Sequence, residues 1–62
     1  MQTVEGAPEG WRILHFPERE QAYTIQEYEG IKNDRHESRN WRTRGFCKTE
    51  QEAWASLKVM AG

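Results

Sequence analysis

From Thr49 to its last residue the chain carries the marks of a single helix. Thr49-Glu50-Gln51-Glu52 has the form of a capping box, in which the Thr hydroxyl accepts from the Glu52 amide and the Glu52 carboxylate reaches back. Ala53, Trp54, Leu57, Met60 and Ala61 then recur at helical spacing. Glu50 and Glu52 suit the positive end of the helix dipole, and Lys58 suits the negative end. The pattern predicts a helix over 50–61. Its apolar stripe, Trp54 and Leu57, is expected to lie on the inner face of a sheet, against Trp41, Ile25 and Ile13 or Leu14.

With 62 residues there is room for one domain. A domain of this size buries only about 60% of the surface its unfolded chain exposes. One thin core layer is expected, and a deep substrate cavity is not. The hydrophobic share is 35%, yet it includes three Trp, two Tyr and two Phe. Such rings supply a small core efficiently, at roughly 150–250 Å² each, so the chain is expected to fold despite a mean hydropathy of −1.06.

Three strand-like runs precede the helix. Residues 1–9 hold Gly6 and Pro8 without periodicity and read as a flexible leader, leaving 10–62 as the domain. Trp11 to Phe16 is a short aromatic and β-branched run that stops at Pro17. Tyr23 to Glu29 alternates Tyr23 and Ile25 with Thr24 and Gln26 and is closed by Gly30. A helix over 17–28, with Pro17 at its first position, is the competing reading of that segment. Residues 30–40 read as a long polar hairpin loop. In Trp41 to Phe46, Trp41 and Thr43 share one face and Arg42 and Arg44 the other. The expected fold class is α+β, a three-stranded antiparallel sheet packed on one C-terminal helix.

Charge is unevenly distributed. Residues 1–30 carry two Arg against six Glu, net −4; residues 31–48 carry six cations against two acids, net +4; residues 49–62 come to −1. The basic third is a candidate anion-binding surface. The plainer reading is that it pairs with the acidic third. Cys47 lies between Arg44 and Lys48, which favours a thiolate, but no spacing ties it to His15 or His36 as a base. A structural cysteine is expected. Neither C-x-x-C nor H-x-x-x-H spacing occurs and no glycine-rich phosphate loop is present, so no metal, cofactor or small-molecule substrate is expected. No basic-then-apolar stretch opens the chain, and no run approaches the ~20 apolar residues of a membrane span. With a single cysteine, a cytoplasmic setting is expected.

The segment Trp41 to Leu57, WRTRGFCKTEQEAWASL, resembles the end of the arm-type DNA-binding domains at the N-terminus of tyrosine recombinases. Plant ethylene-response-type DNA-binding domains have a similar design. In that family a three-stranded sheet packs on one helix, and a W-x-x-x-GF stretch runs into a Thr-capped helix containing Glu-Ala. The matching positions are Trp41, Gly45, Phe46, Thr49, Glu52 and Ala53, about a quarter of the chain by motif. The resemblance implies contacts to the major groove of duplex DNA from the sheet face away from the helix. Arg42 and Arg44 would make them, with Arg12 as a further candidate. Arg39 and Lys48 complete the basic set.

Two non-enzymatic functions follow. One is a nucleic-acid-binding module that uses the outer sheet face. The other is a small phage or mobile-element protein that binds and inhibits or regulates a host protein. For the second, the acidic residues of 1–30 would meet a basic target, or a free strand edge would pair with a partner strand.

Overall fold

The computed structural model describes residues 1–31 and 39–62. In chain order the elements are β1 (Gln2–Val4), β2 (Trp11–His15), β3 (Tyr23–Ile31), β4 (Arg39–Cys47) and α1 (Glu50–Ala61). The strands form one antiparallel sheet in the order β1-β2-β3-β4, followed by the C-terminal helix. The α+β class and the helix over 50–61 agree with expectation. The strand count does not: β1, drawn from the segment read as a leader, adds a fourth strand, with Val4 opposite Ile13 and Gln2 opposite His15. Three residues without periodicity carry no local strand signal, and only pairing with β2 selects them.

The segment 23–28 is strand, which removes the helical alternative. Its β-branched and aromatic residues favour a pleated surface. Gly30 does not end the strand. It continues at φ +93°, a backbone region that glycine enters without a Cβ clash, and β3 runs on to Ile31 opposite Arg39. The expected loop over 30–40 is therefore shorter at both ends. Residues 32–38, including His36, lie outside the described residues.

The helix begins as its cap demands. Thr49 is extended, and its Oγ1 accepts from the Glu52 N–H at 3.1 Å. The reciprocal arm lands one residue earlier than expected: Glu52 Oε2 accepts from the Lys48 N–H at 3.4 Å. At the other end the Gly62 N–H donates to the Lys58 carbonyl at 2.9 Å.

The core lies between α1 and one face of the sheet. Ile13 and Ile25 are opposite each other on β2 and β3 and fully buried. Cys47, Ala53 and Leu57 complete the cluster, with Val4, Ala7, Trp11, Tyr23 and Trp54 packed around it. Trp54 is half-buried over the turn after β1, where its Cη2 would lie 3.4 Å from any Cβ on Gly6. Gly6 has φ +109°, a conformation that favours glycine there whatever the room beside the indole. Of the expected partners of the helix, Ile25 is in place, and of the pair Ile13 or Leu14 it is Ile13, with Leu14 on the opposite face by alternation along β2. Trp41 is also on the opposite face, for a reason that lies in β4.

Candidate functional site

Side chains alternate across a strand, so cross-strand partners share a face. Ile25 is opposite Gly45, but Gln26 is opposite Thr43. Arg44 is thus an extra residue on β4, a bulge. One extra residue reverses every side chain beyond it. Thr43 and Trp41 consequently turn away from the helix, opposite Gln26 and Tyr28, while Arg42 faces Glu27 and, beyond it, Trp11 on the helix side. The expectation that Arg42 and Arg44 project from the outer face is corrected by this register. Simple alternation from Trp41 to Phe46 assumes no bulge, and the bulge inverts the result.

The two arginines are also occupied. Arg42 Nε lies 3.4 Å from Glu29 Oε2, and Arg44 Nε 3.1 Å from Glu27 Oε1. Lys48 Nζ, at the far end of β4, is 3.9 Å from Glu20. The basic third therefore does pair with the acidic third at these positions. The pairs are solvent-exposed, so each contributes little to stability, but together they place carboxylates beside the cations expected to meet phosphate. Arg39 is in register with Ile31; its side chain lies outside what is described.

Among the basic candidates within the strands whose side chains are described, it is Arg12 that projects from the outer face, and it is held in place. Its Nε donates to Gln26 Oε1 at 2.6 Å, and Gln26 Nε2 donates to Thr43 Oγ1 at 3.3 Å. This chain of side chains crosses β2, β3 and β4. The Arg12 guanidinium carbon stands 4.1 Å from the centroid of the Trp41 ring, a cation–π contact. Tyr28 meets Trp41 with centroids 5.3 Å apart and planes inclined by 55°. Partial burial pushes the Arg12 pKa down from its usual value, though a guanidinium remains charged at neutral pH.

The outer face thus carries Thr3, Arg12, Leu14, Thr24, Gln26, Tyr28, Trp41, Thr43 and Phe46. No carboxylate projects from the strands on this side. Its rings and amides were missed as a set because sequence alternation placed Trp41 in the core. Gly45, next to the bulge, was the available signal: a glycine inside a strand often marks one.

Cys47 is buried, with Sγ 3.8 Å from Ser56 Oγ. His15 stacks on Tyr23 with centroids 4.5 Å apart. Among the described residues no three His, Cys, Asp or Glu come together as metal ligands, and no helix is long and apolar enough to cross a membrane. Comparison with protein-family models, curated proteins and solved structures gave no match.

Proposed function

We propose that this protein is a non-enzymatic nucleic-acid-binding module that works through the outer face of its sheet, and that it takes unpaired bases rather than a duplex groove. One observation carries the reading: an outer face without strand carboxylates, on which Arg12 lies over Trp41 beside Tyr28. Every base has a π-face, and stacking on an aromatic side chain is worth about 1–3 kcal/mol per base. Arg12 adds a positive charge next to the ring, where a phosphate would pass. The duplex alternative needs forked Arg side chains free on the groove-facing surface. Arg42 and Arg44 sit on the other side with carboxylates beside them. The reading keeps what the recombinase arm-domain resemblance implies about the face and changes the residues on it.

Fluorescence anisotropy with labelled single-stranded and duplex oligonucleotides at low salt tests this. The single strand is expected to bind more tightly, and Trp41→Ala to weaken it by about tenfold or more, the loss of one stacked base. Duplex preference that depends on Arg42 and Arg44 would move the interface to the helix side. Absence of binding to either oligonucleotide at low salt would remove the reading and leave a host protein as the partner.

A further inference from the structure

The bulge at Arg44 has a second effect on β4. Trp41 and Phe46 are five residues apart, and at that odd spacing an unbroken strand puts them on opposite faces. The extra residue brings them to one face. Trp41 is opposite Tyr28 and Phe46 is opposite Thr24, and Thr24 and Tyr28 are four residues apart on β3. At about 3.3 Å per residue the two rings are rooted roughly 13 Å apart along the sheet. Between them runs the row Arg12, Gln26 and Thr43, whose side chains hydrogen-bond to one another. Phe46 is 55% exposed, whereas its neighbours on this face, Leu14 and Thr24, are buried and form a floor beside it. Val59 and Met60, the other large apolar side chains left in water apart from Met1, are on the helix.

The open apolar surface at this end of the outer face is therefore one ring. That is far less than the roughly 800 Å² per partner of a stable protein interface, but it is what a single planar base stacks on. We propose that Phe46 is a second base subsite, so that the outer face takes a run of unpaired nucleotides with one base stacked at Trp41 and another at Phe46. The subsite rests on the single-strand binding proposed for the Arg12–Trp41 end and extends it along β4. The separation of the rings is about four steps of a stacked strand at about 3.4 Å per nucleotide, and fewer of a strand drawn out. About one to three bases thus lie between the two that stack, and they pass over the polar row. Arg44 is beside Glu27 on the other face and Lys48 is beside Glu20, so the hold at Phe46 is stacking rather than charge.

NMR titration of the isotope-labelled protein with thymidine oligomers of two and six nucleotides tests the subsite. The shorter oligomer cannot reach both rings at once and is expected to shift the Trp41 signals. The longer one is expected to shift Phe46 and Thr24 as well. Phe46→Ala is expected to weaken the longer oligomer by about tenfold, the loss of one stacked base, and to leave the shorter within about twofold of wild type. Phe46 is exposed, so its replacement spares the core. Phe46→Leu, which keeps apolar bulk without a ring, is expected to bind like the Ala variant. The loss is expected to be the same at low and moderate salt, because no phosphate contact goes with the ring. Wild-type affinity of Phe46→Ala for the longer oligomer, with Trp41→Ala still weakening both, would overturn the second subsite and leave the first. Wild-type affinity of Phe46→Leu, or a loss confined to low salt, would also overturn it, since apolar contact or charge would then be responsible. No shift with either oligomer at low salt would remove the subsite and the single-strand reading together.

Discussion

Thr24 carries the one unsatisfied side-chain group buried among the described residues. It is 4% exposed, and its Oγ1 finds no hydrogen-bond partner. It sits on the outer face between Leu14 and Phe46, flanked by apolar neighbours that offer it none. An unmet buried hydroxyl costs about 1–3 kcal/mol relative to one that is bonded. Valine has nearly the same shape without the hydroxyl, and it favours strands. Thr24→Val is therefore expected to stabilise the protein by about 1 kcal/mol, read as a higher denaturant midpoint at unchanged slope. A lower midpoint would show that the hydroxyl is satisfied in solution.

At the level of single elements the helix and β4 behave in opposite ways. The Thr49 cap is local: its acceptor and donor are three residues apart. Thr49→Ala is expected to cost about 1 kcal/mol, visible as a modest loss of melting temperature with the outer-face ligand affinity unchanged. Helix 50–61 was legible for the same reason, since its cap, dipole charges and apolar spacing are all written within a few residues of one another. The face of β4 was not, because it depends on the one extra residue at Arg44. Deleting Arg44 removes that residue and brings Thr43 next to Gly45, so plain alternation then keeps Thr43 opposite Gln26 and Trp41 opposite Tyr28, with Arg42 on the helix side. The deletion loses only the exposed Arg44–Glu27 pair, and is expected to leave Trp fluorescence and single-strand binding close to wild type. A folded deletion variant that no longer binds the single strand would show that the residue count at Arg44 is not what sets the phase.

Over the whole molecule, a net charge of −1 conceals a division of labour between the two sheet faces. The helix side holds the ion pairs of Arg42 and Arg44 with Glu29 and Glu27, and the outer side holds Arg12 among rings and amides. This sets the salt dependence of the proposed binding. Each phosphate contact on a single strand contributes a slope of about −0.7 in log K against log salt. With Arg12 as the outward-facing cation among the strand side chains that are described, a slope near −1 is expected, well short of the value near −3 or −4 that five free cations would give. A steep slope would mean that the helix-side arginines leave their carboxylates to meet phosphate. In the same spirit, replacing Glu27 and Glu29 together with Gln should change stability by less than about 1 kcal/mol, because exposed ion pairs contribute little. Thermal melting of the double variant checks this.

The sequence by itself determined the helix and its cap, the centres of the three longer strands, and Ile25 and Leu57 as core, with Ile13 or Leu14 beside them. All of these follow from periodicity or from contacts between near neighbours in the chain. Only the tertiary structure decided the rest. β1 exists as a strand because β2 offers it a ladder, not because Gln2-Thr3-Val4 announces one. Trp41 faces out and Arg42 faces in because β4 has to absorb one residue more than β3 over the same span. Helical information accumulates over about four residues and is forgiving, whereas a side chain's face in a sheet is the parity of a count along the strand. A single insertion in that count reverses it, and nothing local to Trp41 records that this has happened.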